Sequence, residues 1–160
     1  MADELRAPAL DPATVPGEER QPYPAPWDTA LAGKFRKALG DALGLTQIGV
    51  NLTRLAPGAI SALRHWHTGE DEFVFVVSGE PTLVCDSGEQ NLGPGQVAGF
   101  PAGGGDGHRL ENRTESDVEF LEIGTRATAD RVFYTEDDLI LEKTVGAPAR
   151  RFTRRDGTPR

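Results

Sequence analysis

The chain contains three histidines, and two of them stand one residue apart in RHWHTGEDEF, residues 64–73. On a β-strand, residues two apart face the same side, so His65 and His67 point together while Arg64 and Trp66 point away. Glu72 opens the next run, EFVFVVSG, whose alternation places Glu72, Val74 and Val76 on one face and Phe73, Phe75 and Val77 on the other. The third histidine, His108, shares a face with Leu110 and Asn112 in a short run after a glycine-rich loop. Gathered inside a barrel, three imidazole nitrogens and one carboxylate oxygen make a borderline donor set that suits divalent Fe, Mn, Zn, Ni, Co or Cu. The ordinary alternative for an isolated His-x-His is a pair of half-exposed strand histidines. Here every histidine of the chain falls in a ligand position and a glutamate takes the fourth. Glu70 and Asp71 compete with Glu72, but the period-two alternation selects Glu72 and leaves the other two solvated.

These residues need strands to hold them, and from Thr46 onward the texture supplies strands. TQIGVNLTRL, AISALRHWH, EFVFVVSG, PTLVCD and VEFLEIG are short β-prone runs. Turn signals divide them at Pro57-Gly58, Ser78-Gly79, Ser87-Gly88 and Gly93-Pro94-Gly95. Such a pattern predicts an all-β antiparallel sandwich or small barrel. Gln47 and Asn51 share a face of a nearby strand and are candidate pocket-lining residues. Residues 1–26 carry Pro8, Pro12, Pro16, Pro22, Pro24 and Pro26, a density that breaks helix and strand alike and predicts an irregular N-terminal arm. Residues 27–145 are expected to form the barrel domain, entered through a partly helical stretch from Trp27 to Leu45, and residues 146–160 a basic C-terminal tail.

Composition narrows the function. A length of 160 residues allows one domain with a real core. The net charge of −8 disfavours nucleic acid and anionic membranes as partners and leaves small metabolites or other proteins. No apolar run approaches the roughly 20 residues of a membrane helix, and the start MADELRAPALDP lacks the pattern of a secretory signal, so a cytoplasmic location is expected. The single cysteine, Cys85, reads as a small buried hydrophobe. The loop GGGDG lacks the Gly-Lys-Ser/Thr ending of a phosphate-binding P-loop. The tail arginines, Arg150, Arg151, Arg154, Arg155 and Arg160, read as solvated or docked on the chain itself rather than as a nucleic-acid patch.

The stretch Gly58 to Gly79 resembles the first motif of the cupin superfamily: a glycine, His-x-His, four residues, a glutamate, six residues and a glycine. Gly95, Pro101, Gly103, His108 and Asn112 follow the order of its second motif. Two gaps are longer than the family's pattern, one before His65 and one in GGGDG before His108, where a longer loop is easily accommodated. The shorter segments IGVNLTRLAPG, GFPAG, LEIGTR and RFTRRDGTP resemble small single-domain bacterial cupins described as sugar-phosphate-isomerase-like. The resemblance implies a double-stranded β-helix, a jelly-roll barrel with an irregular N-terminal arm and a short C-terminal extension. It also implies one divalent transition metal per chain, held by His65, His67, Glu72 and His108.

The expected function is a metal-dependent enzyme on a small oxygen-rich metabolite, by dioxygenation, isomerisation or elimination, with oxygenation slightly ahead. The alternative is a non-catalytic module that binds a metal or small ligand. Phosphosugar isomerisation is discounted because the strands near the metal offer no inward cation, unless tail arginines fold back over the barrel mouth. Outward Trp66, Phe73 and Phe75 predict a homodimer, since a monomer would leave them in water.

Overall fold

In EFVFVVS, every second side chain is buried: Val74 and Val76 are 7% and 0% exposed, whereas Phe73, Phe75 and Val77 stand out at 38–43%. That period-two burial makes the segment a strand, and among the described residues twelve more surround it in a nearly all-β chain. This computed structural model describes residues 7–144 and 150–160. The elements are β1 (Gly17–Glu18), β2 (Lys34–Ala38), α1 (Leu39–Ala42), β3 (Ile48–Leu55), β4 (His65–His67), β5 (Glu72–Ser78) and β6 (Thr82–Cys85). They continue with β7 (Gly88–Asn91), β8 (Val97–Phe100), β9 (Arg109–Glu111), β10 (Val118–Thr125), β11 (Ala129–Tyr134), β12 (Ile140–Thr144) and β13 (Arg151–Thr153).

One sheet runs β1-β2-β3-β10-β5-β8. The other side is built from β13-β12-β11-β4 and β7-β6-β9, joined edge to edge by a bridge between His65 and His108. Strand pairs are antiparallel, as in the jelly roll expected from the turn-rich run pattern. Leu55, Val76, Val118 and Phe120 from the six-stranded sheet meet Leu83 and Leu110 from β6 and β9 in one apolar cluster. Burying each such side chain contributes roughly 1.5–3 kcal/mol. A second cluster joins Val132, Tyr134, Leu139 and Leu141 of the β11–β12 hairpin to Leu31 and to Tyr23 of the arm. Cys85 is a buried free thiol, as expected.

Two tight features hold the connections. Gly79 has φ +76, and a Cβ there would stand 2.6 Å from Val118 Cγ1, so the turn after β5 requires glycine. Asn112, 1% exposed, donates from Nδ2 to Leu55 O and Ser116 O at 2.8 Å each, tying the end of β9 to the end of β3.

Two segments differ from expectation. Residues 34–38, expected in a partly helical entry, form β2 and pair with β3, Lys34↔Leu55 through Ala38↔Asn51; within residues 27–45 the α-helix is confined to α1. AISALRHWH is regular only at β4, since Ile60 makes an isolated bridge to Glu111 and Ser61 Oγ accepts from Leu110 N–H. Leu139–Leu141 lies in the β11–β12 hairpin, where ADRVFY pairs with the strand that begins at Ile140. The arm is held at β1, which pairs with β2, and at Tyr23, whose ring meets Tyr134 edge-on at 5.5 Å. The expected boundary at residues 145/146 lies outside the described residues. Beyond it, β13 pairs with β12, Leu141↔Phe152. Among the described residues, no helix is long and apolar enough to cross a membrane.

Candidate metal centre

The short strand β4 pairs with β11 in the register His67↔Val132, Trp66↔Phe133 and His65↔Tyr134. Alternation turns His65 and His67 inward, while Trp66 stacks on Phe133 at 4.8 Å between centroids. His108 arrives through the backbone bridge to His65, and its ring stacks on Phe100 at 3.5 Å. Glu72, the first residue of β5, pairs with Phe100 on β8 and Gly124 on β10. The four side chains named from the sequence thus come together.

Glu72 Oε2 lies 3.0 Å from His108 Nε2, 3.4 Å from His67 Nε2 and 3.6 Å from His65 Nε2. Each far ring nitrogen faces an acceptor: His65 Nδ1 lies 2.8 Å from Leu63 O, His67 Nδ1 2.7 Å from Asp130 Oδ2 and His108 Nδ1 3.4 Å from Asp106 O. Carbonyl and carboxylate oxygens only accept, so each Nδ1 carries the hydrogen and each Nε2 presents its lone pair to the centre. Electron-rich atoms placed in this way are reconciled by a cation. Ligand atoms about 2.1 Å from a shared ion stand roughly 3.0–3.4 Å apart, near the 3.0–3.6 Å that separate the three Nε2 atoms from Glu72 Oε2; His65, His67 and Glu72 form the mutually close group, which His108 joins through Glu72. A divalent transition metal fits this donor set.

A second group, His67, Glu70 and Asp130, adjoins the first. Lys143 Nζ fills it, 2.6 Å from Glu70 Oε2 and 3.2 Å from Asp130 Oδ2. Glu70 is therefore not solvated as expected, whereas Asp71 is exposed and accepts from Ala102 N–H. Asp130, 3% exposed, accepts from His67 and from Gly69 N–H. Burial raises its pKa, yet His67, the Gly69 amide and Lys143 together hold the carboxyl well below the usual range.

The centre opens on a cavity of about 520 Å³. Asn51 lines it; Gln47 does not, being exposed just before β3 with its carbonyl accepting from Arg126 N–H. On the wall, Glu122 accepts from Lys34 Nζ at 3.0 Å and from Thr53 Oγ1 at 2.7 Å. The expectation that the strands near the metal offer no inward cation is overturned by Lys34 and Arg36, which border this cavity with Arg20, and Arg150 of the tail reaches it too, as the exception for tail arginines allowed. The missed strand explains the missed cations, because Lys34 and Arg36 lie two apart on β2 and share its inward face.

A family profile described as Cupin domain matches residues 51–124. A solved structure from Silicibacter pomeroyi DSS-3, described as a sugar phosphate isomerase from a cupin superfamily, is 42% identical, with 96% of each chain covered and a TM-score of 0.92. A candidate sugar phosphate isomerase from Acidithiobacillus ferrooxidans is 31% identical over 76% of each chain, TM-score 0.70. The polyketide cyclase RemF from Streptomyces resistomycificus shares the fold at 21% identity, TM-score 0.60, over 73% of this chain and 78% of its own. No curated protein sequence matches the chain.

Proposed function

The chain belongs to the cupin superfamily, and from that premise we propose a divalent-metal-dependent enzyme acting on a small oxygen-rich metabolite, with His65, His67, Glu72 and His108 holding one metal ion per chain. The observation that carries this reading is the convergence of three Nε2 atoms on Glu72 Oε2 at the wall of an open, polar cavity. A purely structural ion needs no such cavity.

Among dioxygenation, isomerisation and elimination, the proposal takes isomerisation of a hydroxy-carbonyl substrate. Two relatives above 30% identity are described as sugar phosphate isomerases, one of them as a candidate. The wall also carries paired charges, Lys34 and Glu122, suited to hydroxyl groups. The metal, when bound, would polarise the substrate carbonyl and ease removal of the adjacent proton. The chain's own groups do the rest. Leu63 O, Asp130 and Asp106 O fix the imidazole tautomers. Glu122, oriented by Lys34 and Thr53, is the carboxylate outside the ligand set that holds the transferred proton.

The test incubates metal-loaded protein with aldoses, ketoses and their phosphates in D₂O and follows deuterium entry beside the carbonyl by NMR. The expected result is exchange with the unaltered chain that is lost in Glu72→Gln and falls about 100-fold in Glu122→Gln. Metal-loaded protein that binds these compounds without exchange would move the reading to a non-catalytic ligand-binding module.

A further inference from the structure

Both terminal segments bring arginines to the same end of the cavity. Arg20 follows β1, Arg36 lies on β2 and Arg150 immediately precedes β13, whose pairing with β12 fixes its backbone. With Lys34 and Glu18, these three border a side lobe of about 70 Å³ floored by Pro22 and Leu31. All three arginines and Lys34 also border the main cavity, so the lobe and the metal ligands share one space.

The local charge does not balance. Lys34 is neutralised by Glu122 at 3.0 Å. Arg36 and Arg20 share the single carboxylate of Glu18, at 2.8 and 3.6 Å. Arg150 makes no ion pair or side-chain hydrogen bond among the described residues. Among the described residues, four cations therefore face two carboxylates, in a chain whose net charge is −8. The other basic residues on the cavity wall are paired, Lys143 with Glu70 and Arg126 with Asp41, so the excess sits only at this end. Arg150 is exposed at the cavity rim, and partial desolvation with the nearby charges of Arg20 and Arg36 pushes its guanidinium below the usual range, consistent with groups that repel one another. Such a cluster persists at low cost when a multivalent anion sits among its members, and planar guanidinium forks match phosphoryl oxygens.

We propose that Arg20, Arg36 and Arg150 form a subsite for the phosphoryl dianion of a phosphomonoester substrate, whose carbonyl end then reaches the metal ligands. The inference rests on reading the metal-side cavity as the substrate site. It assigns phosphate recognition to the two terminal segments and to the edge strand, leaving the barrel strands to the chemistry.

Isothermal titration of the full-length, metal-loaded chain with inorganic phosphate, ribose 5-phosphate, ribose and succinate tests it. Phosphate and ribose 5-phosphate are expected to saturate, with ribose and succinate at least about tenfold weaker. Arg150→Ala and Arg36→Ala should each weaken phosphate binding about tenfold, and Arg150→Lys should recover part of the loss. Metal content, measured on the same samples, should be unchanged in these variants, which separates failure of the subsite from failure of the metal reading. Absent phosphate binding, binding equal within about twofold in the arginine variants, or succinate binding as tightly as phosphate would overturn the proposal.

Discussion

His65 and His108 exchange backbone hydrogen bonds in both directions, His65 N–H to His108 O at 3.2 Å and His108 N–H to His65 O at 2.9 Å. This one bridge closes the seam between the two smaller sheets and sets the two imidazoles 5.0 Å apart. The fold and the site are built by the same contact, so the ligands are positioned by strand pairing rather than by flexible loops.

Asp130 acts on the centre through His67. Its buried carboxylate accepts the Nδ1 hydrogen and leaves Nε2 free to ligate. Asp130→Asn keeps the shape and loses the charge, and should lower metal affinity about 10–100-fold with little change in circular dichroism. Competition with a chelating dye measures it, and an affinity equal to that of the unaltered chain would remove this role.

The alternation of β5 and the His-x-His of β4 were legible because one face of each meets an apolar or ligand-bearing interior. β2 was not legible. Its inward residues Lys34 and Arg36 face a polar cavity, while Phe35 lies beneath Arg54, with 5.3 Å from ring centroid to guanidinium carbon, so hydrophobic alternation is absent. Asp130 was missed for a different reason. It is one acid in an ordinary run, and only the register of β11 on β4 brings it to His67. Arg20 and Arg150 lie in terminal segments with no periodic signal; a fold-back of the tail arginines was open from the sequence, but nothing local tells which of them reaches the cavity or that Arg20 joins it.

Asn112 was singled out by motif order alone, and the structure supplies its physical role. Asn112→Ala would take the Nδ2 donor from the buried Leu55 O and one of two side-chain donors from Ser116 O. The expected loss is about 2 kcal/mol of folding free energy, read by urea denaturation. A midpoint unchanged from the unaltered chain would contradict it.

Glu111 lies between Arg109, 2.6 Å from Oε1, and Arg113, 2.7 Å from Oε2. Burial opposes its ionisation, but the two guanidinium groups outweigh it and hold the carboxyl below the usual range. Its stabilisation is therefore fully present above the unfolded value of about 4.3 and is lost as the pH falls through the lowered folded value. Glu111→Gln should cost about 1 kcal/mol at pH 7, and the Tm difference from the unaltered chain should close on acidification. A difference that stays constant down to acid unfolding would contradict this assignment.

Phe73, Phe75 and Val77 on β5 and Val97 on β8 stay 38–52% exposed on the outer face of the six-stranded sheet. Trp66 packs on the outer side, stacked on Phe133 of its own chain. A homodimer through the β5–β8 face is the expected outcome of light scattering, with Phe75→Asp giving monomers. A stable monomer of the unaltered chain would contradict it.

The central claim is that His65, His67, Glu72 and His108 hold a metal ion. Elemental analysis of protein purified without added metal should find about one divalent transition metal ion per chain, falling below about a tenth in His65→Ala. Less than about a tenth in the unaltered chain, not raised by incubation with Mn, Fe, Co, Ni, Cu or Zn and the same in His65→Ala, would contradict it.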